Sequence, residues 1–149
     1  MLSEEIKQSI DESVLCWLAT ADEKGEPNCS PKEVFTYLGH DQLIIADIAS
    51  PNSVDNLRQN PLVCVSFVHV FKQKGYKLKG RAKYVTPQCK EYAELFGLVE
   101  PAVGNVFPVR GIILVSVTSC SPIIAPAYYL VSGLTEESQI RAAKKTYGL

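Results

Sequence analysis

The stretch from Leu62 to Val85 limits the folds open to this chain more than any other segment. LVCVSFVHVF is a long β-branched and aromatic run, and the polar turn Lys72-Gln73-Lys74-Gly75 leads from it into YKLKGRAKYV. The second segment alternates cleanly, with Lys77, Lys79, Arg81 and Lys83 on one face and Tyr76 and Tyr84 on the other. Such alternation belongs to extended backbone, so the two segments read as paired strands. Two more strand–turn–strand connections precede them. VLCWLAT reads as a buried strand ended by Asp22-Glu23-Lys24-Gly25, a second strand spans Asn28 to Tyr37, and after Gly39-His40-Asp41 a third runs through Leu43-Ile44-Ile45-Ala46. Connections this short argue for antiparallel pairing, because parallel neighbours need crossovers of a dozen or more residues. GIILVSVTSC supplies the sixth strand.

Helices occupy the ends and corners. Ser3 suits the N-cap of a first helix, with Glu4 and Glu5 in its opening turn and Ile6, Ile10 and Val14 as one narrow apolar stripe. Ser50-Pro51 is a strong helix start, carrying Val54 and Leu57 inward and ending before Asn60-Pro61. A third helix is expected from about Pro87 to Phe96, followed by a Gly/Pro-broken loop, and a closing helix from Thr135 to Tyr147 with Gly148 beyond its end. The expected architecture is mainly β: a small six-stranded antiparallel barrel with flanking helices. No repeat, low-complexity segment or linker divides residues 1–149, so a single domain is expected.

Composition narrows the function. Fifteen Lys+Arg against sixteen Asp+Glu give a net charge of -1, without the global positive field of a nucleic-acid binder. The basic row on YKLKGRAKYV is read as a solvated face, and no nucleic acid is expected as a partner. No apolar run approaches the roughly 20 residues that span a bilayer, so no membrane partner is expected either. The start, MLSEEIKQSIDES, is acidic and polar, unlike a secretory or transit leader, and a cytoplasmic location is expected. Cys16, Cys29, Cys64, Cys89 and Cys120 are odd in number and scattered, with no C-x-x-C pair, and read as reduced, buried, structural thiols. His40 and His69 are the only histidines and lie far apart in the chain, so no metal site is expected.

No nucleophile elbow, zinc-binding helix, P-loop or dinucleotide fingerprint occurs, which directs attention to cofactor chemistry. The first candidate site is Ala46-Asp47-Ile48-Ala49-Ser50-Pro51-Asn52-Ser53, where a strand gives way to a helix start with free backbone donors suited to an anion. The alternative there is a plain capping Ser50 with Asn52 and Ser53 solvated. The second is Asn28-Cys29-Ser30-Pro31-Lys32-Glu33-Val34-Phe35, in which Ser30, Lys32 and Val34 share one strand face. Pro31 marks an edge or bulge, and Lys32 is placed to reach a phosphate, unless it belongs to an exposed Lys–Glu surface.

The order of these motifs resembles the flavin-binding split β-barrel proteins related to pyridoxamine 5′-phosphate oxidase, most nearly their short single-domain members. CWLATADEKGEPNCSPKEVF, LIIADIASPNSVDNLRQNPLVCVSF, GYKLKGRAKYV and RGIILVSVTSCSPI carry the likeness over about residues 14 to 125. The resemblance implies a six-stranded split barrel that forms a homodimer, with FMN at the subunit interface. Carried over residue by residue, the cofactor contacts fall on Ser30, Pro31, Lys32 and Glu33, then on Ala46 and Asp47, then on Ser50, Asn52 and Ser53. Relatives usually have Lys-Thr or Arg-Lys where this chain has Asn52-Ser53, so one cation is missing beside a phosphate of about −1.5 to −2 charge. True pyridoxamine phosphate oxidases also carry C-terminal Trp and Arg residues. Here Trp17 is the only tryptophan and the stretch from Ser132 onward holds only Arg141, so that oxidation is not expected. Tyr128 and Tyr129 lie in the Pro-punctuated SPIIAPAYYL, expected to be extended and to pack on the barrel, the alternative being that the rings stack near a flavin. The function implied is an FMN-dependent oxidoreductase with a small redox substrate. The alternatives are a non-enzymatic flavin or haem carrier or sensor on the same barrel, and a homodimer whose cofactor site is lost.

Overall fold

Every strand pairing in the structure, a computed structural model describing residues 1–149, is antiparallel. Seven strands, β1 (Cys16–Ala21), β2 (Pro27–Lys32), β3 (Phe35–Leu38), β4 (Gln42–Asp47), β5 (Leu62–His69), β6 (Lys74–Val85) and β7 (Gly111–Ile124), lie in the order β2-β1-β5-β6-β7-β4-β3. The strand expected over Asn28–Tyr37 is two strands, which turns the expected six into seven. β2 pairs with β1 and β3 with β4, at opposite edges of the sheet, yet only Glu33 and Val34 separate them in sequence. So short a connection draws the two edges together, and Ala46 N–H donates to Val34 C=O at 3.0 Å, extending the β3–β4 ladder up to the break. The sheet therefore curls into a split barrel with its seam at Glu33–Val34. Pro31, two residues before the seam, sits on an edge strand where its missing donor is tolerated.

Alternation fills the barrel. Cys16, Leu18, Val63, Val65, Phe67, Leu78, Ala82, Ile113, Val115 and Val117 point inward in one cluster with Leu43 and Ile45. Helices α1 (Glu4–Glu12) and α2 (Pro51–Gln59) add Ile6, Ile10 and Leu57 to this interior. Ser3 caps α1 as expected, accepting from Ile6 N–H at 3.2 Å. Val14 does not extend the α1 stripe: the helix ends at Glu12, and Val14 is 79% exposed in the connector. Helix α3 (Tyr92–Val103) begins later than expected and runs through Gly97 and Pro101, where a loop was expected. Leu95, Val99 and Val103 recur every fourth residue and pack on Ile44, Ala46, Ile112 and Leu114, and that packing outweighs the helix-breaking residues. This second cluster covers the outer face of β4 and β7.

Helix α5 (Glu136–Thr146) closes the chain, with Thr135 in a capping box with Ser138. The segment before it is not extended: Tyr128 and Tyr129 lie on a short helix, α4 (Ala127–Leu130). Tyr128 packs on the β5–β6 turn, donating to Lys72 C=O at 2.7 Å beneath the Lys74 ammonium, whereas Tyr129 faces solvent. Among the cysteines only Cys16 is fully buried. Cys29 is exposed and Cys64, Cys89 and Cys120 are half-buried, because Cys29 and Cys64 fall on the outward side of their strands. All five are free thiols. No helix is long and apolar enough to cross a membrane.

Candidate functional site

The two sequence segments singled out as candidates meet in space. β2 alternates so that Ser30 and Lys32 face inward, opposite Leu18 and Cys16 of β1. At the other side, β4 ends at Asp47, and a three-residue turn leads into α2. The contact between them is direct: Ser30 Oγ and Ser53 Oγ are 3.1 Å apart, and Lys32 Nζ donates to Ser30 Oγ at 2.8 Å. Lys32 is 8% exposed and Ser53 1%, so the ammonium is held inside the protein.

That ammonium is under-partnered. It has three donors, and its one hydrogen bond within the chain is to a neutral hydroxyl; no ion pair includes it. Burial pushes the Lys32 pKa below the usual lysine value of 10.5, and the nearby Asp47 charge opposes that shift. Asp47 is itself buried, with both carboxylate oxygens engaged: Oδ1 accepts from Ser50 N–H at 3.0 Å and Oδ2 from the Tyr84 hydroxyl at 2.5 Å. Burial, followed by the bond to Asp47, pushes the Tyr84 pKa well above its ordinary value of 10.0, so the hydroxyl is a donor.

The start of α2 differs from its sequence expectation in one respect. Ser50 stands at the N-cap with Pro51 at the first helical position, but its hydroxyl makes no capping bond. Asp47 instead secures the turn through Ser50 N–H. The first α2 backbone donor satisfied inside the helix is Val54 N–H, bonded to Ser50 C=O at 3.0 Å. The N–H groups of Asn52 and Ser53 remain open, as expected of a helix N-terminus.

The nine residues expected to touch a cofactor thus separate into groups. Ser30, Lys32, Asp47, Ser50 and Ser53 form one buried or half-buried polar cluster, with Ala46 buried beside it and Asn52 exposed at its rim. Pro31 and Glu33 point outward, away from Lys32, as the strand alternation requires. Tyr84 was not among them. The signal for it lay in the alternation of YKLKGRAKYV, which turns Tyr84 inward as it turns the Lys row outward. The second residue missed was Asn56, whose amide donates to Thr20 Oγ1 at 3.0 Å and ties α2 to β1.

A second surface lies on the outer side of the sheet. No helix covers the outer face of β1 and β5 as α3 covers that of β4 and β7, and Trp17, Leu62 and Val68 stand exposed there. An apolar groove of about 530 Å³ opens beside Trp17, lined by Val14, Phe67, Val70 and Phe71 and by His69. Lys77, Lys79, Arg81 and Lys83 also face solvent, and of these only Lys83 has a carboxylate partner, Glu91 at 2.9 Å.

Residues 2–122 match the pyridoxamine 5′-phosphate oxidase family. No curated protein matches the chain. Among solved structures, HupZ of Group A Streptococcus superposes with a TM-score of 0.70 at 21% identity, covering 84% of this chain and 96% of that one. An FMN-binding protein from Syntrophomonas wolfei gives 0.69 at 16% identity over 90% of this chain and 88% of that one. HutZ, the haem storage protein from Vibrio cholerae, gives 0.63 at 19% identity over 83% and 94% respectively. Likeness at these identities carries the split-barrel fold and nothing finer.

Proposed function

The chain belongs to the pyridoxamine 5′-phosphate oxidase family, and from that premise we propose that it is an FMN-binding flavoprotein whose cofactor phosphate is held at the Lys32 cluster. One observation carries the reading. A lysine ammonium 8% exposed, with a single neutral hydrogen-bond partner, is costly to bury unless an anion completes its shell. The donors around it suit a phosphate: two free ammonium protons, the one Ser30 or Ser53 hydroxyl proton not spent between the two, and the open N–H groups of Asn52 and Ser53. Asp47 does not repel the anion unopposed, because Ser50 N–H and Tyr84 O–H cover its two oxygens.

When bound, FMN supplies hydride or electron exchange at its N5 for a small redox substrate. The chain's own residues bind and orient: Lys32 neutralises charge, the α2 start supplies directed donors, and Asn52 offers an amide where the family resemblance implies a cation. We further propose that a second copy of the chain covers the outer face of β1 and β5, making a homodimer. The asymmetry of the sheet supports this, since one outer face has α3 on it and the other exposes Trp17, Leu62 and Val68.

A haem carrier on the same barrel is less well supported by the side chains. His69 lines the apolar groove, but its Nδ1 accepts from Lys72 N–H at 3.1 Å, which leaves the ring proton on Nε2 and no lone pair for iron. His40 is exposed in a turn. Titration of the purified protein with FMN, riboflavin and haemin tests the reading. FMN is expected to bind at least about tenfold tighter than riboflavin, the difference being the phosphate. Equal affinity for the two flavins, or a Soret band with haemin and no flavin binding, would overturn it.

A further inference from the structure

Tyr84 makes no hydrogen bond to Lys32, Ser30 or Ser53, yet the turn that presents α2 to them hangs from its hydroxyl. The hydroxyl donates to Asp47 Oδ2 while Asp47 Oδ1 receives Ser50 N–H, so a single carboxylate links β6 to the first residue before α2. The Ser50 side chain adds no bond of its own. Asp47 is also fixed from behind, since its C=O accepts Arg110 N–H at 2.8 Å.

The ring position is equally constrained. Gly111 stands opposite Asp47 in the β4–β7 register, and a Cβ at Gly111 would come within 2.4 Å of Tyr84 Cζ and Oη. The absence of a side chain there lets the ring lie against the β7 backbone, while the Arg58 guanidinium of α2 sits over the ring at 5.7 Å from its centroid. Two elements that carry no anion donor, β6 and β7, therefore determine where Asp47 is held.

We propose that Tyr84 is a positioning residue: by donating to Asp47 it holds the turn from Asp47 to Ser50, and so aims the free N–H groups of Asn52 and Ser53 at an anion beside Lys32. The identity of that anion as a flavin phosphate rests on the reading above; the tether itself does not.

Two substitutions separate the hydroxyl from the ring. Tyr84→Phe removes the donor and keeps the ring, and Gly111→Ala keeps the donor but displaces the ring. Both are compared with the native chain by amide hydrogen exchange of the ligand-free protein and by titration with FMN and riboflavin. In both variants the Ser50 and Val54 amides are expected to exchange about tenfold faster, with Leu78 and Val65 in the barrel unchanged. The FMN Kd is expected to rise about tenfold and the riboflavin Kd to stay within about twofold. A merely structural tyrosine would speed exchange throughout the barrel and weaken both flavins together, and that result would overturn the proposal. Unchanged Ser50 exchange would overturn it as well. If the native chain binds neither flavin, the flavin reading falls while Ser50 exchange still decides the tether.

Discussion

Lys32→Met separates the cost of burying an ammonium from the use made of it. Methionine has a similar length and volume, so the side-chain space stays filled while the charge goes. In the ligand-free protein the ammonium has one bond, 2.8 Å to Ser30 Oγ, and burial is the main influence on its pKa. Burying a single ion costs several kcal/mol, part of which the Asp47 charge offsets here, so exchanging the ammonium for an apolar residue of similar volume is expected to recover about 2 kcal/mol. The lost Ser30 bond offsets about 1 kcal/mol of that. The net expectation is a ligand-free variant more stable by about 1 kcal/mol, or about 2–4 °C in Tm for a chain of this size. Binding moves the other way. Losing a charge-assisted bond costs about 1.5–3 kcal/mol, which is about tenfold to a hundredfold in the FMN Kd. The pH dependence has a definite sign. Lys32 titrates below 10.5 when folded, so between its folded and unfolded values the unfolded chain binds more protons and stability rises with pH. Below both values the native chain carries the full burial penalty, and the variant lacks the rise. Thermal unfolding from neutral pH upward, with FMN titrations at neutral pH, measures all three effects. A variant that loses stability but binds FMN like the native chain would make Lys32 a structural residue and refute the reasoning.

Other outcomes follow from the same geometry. Asn52→Lys places a cation at the α2 start and is expected to tighten FMN by about 1 kcal/mol, with a steeper salt dependence in fluorescence titrations. Ser53→Ala removes the hydroxyl that meets Ser30 and is expected to weaken FMN by about 1 kcal/mol; no shift in either variant would remove the phosphate from this helix start. Sedimentation is expected to give about twice the 16.4 kDa chain mass, and Trp17→Glu to shift the protein to monomer by placing a charge on the uncovered face. A monomeric native chain would leave that face without its proposed partner. Tyr128→Phe breaks the bond to Lys72 C=O and is expected to cost about 1 kcal/mol in thermal stability without changing flavin affinity. The reverse pattern would place Tyr128 at the cofactor.

What could be read from the chain alone depended on how local the cause was. The β5–β6 hairpin, the Ser3 cap, the Pro51 helix start and the closing helix from about Thr135 were legible because each is set by residues within a few positions of one another. That Ser30 and Lys32 share a face followed from period-two alternation, and the pairing with β1 turns that face inward. Helix α3 was misread at both ends because Gly97 and Pro101 are local breakers, whereas Leu95, Val99 and Val103 gain their stability by packing on strands distant in sequence. The burial of the cysteines was overestimated for a related reason: an apolar run such as LVCVSFVHVF has two faces, and only pairing decides that Val63, Val65 and Phe67 go inward while Cys64 goes out. Ser50 had the composition of a cap, yet Asp47 does the fastening, a choice made by Tyr84 from a strand 37 residues away.

The division of one expected strand at Glu33–Val34 connects the fold to the candidate site. Had residues 28–37 paired along one neighbour, Lys32 would have lain in mid-strand, facing the apolar interior shared by Leu18, Val65 and Leu78. Instead Lys32 is the last residue of β2, opposite Cys16, and the chain leaves β1 immediately after it to join β4 at the other edge. The same crossing brings Val34 C=O to Ala46 N–H, one residue before Asp47. The seam that closes the barrel therefore sets the end of β2 beside the end of β4, where the polar turn into α2 begins. A buried cation is held at that junction by the Ser30 hydroxyl that accepts from it and by the nearby Asp47 charge, and the open N–H groups of the α2 start lie beside it, so barrel closure and the proposed anion site draw on one irregularity in the sheet.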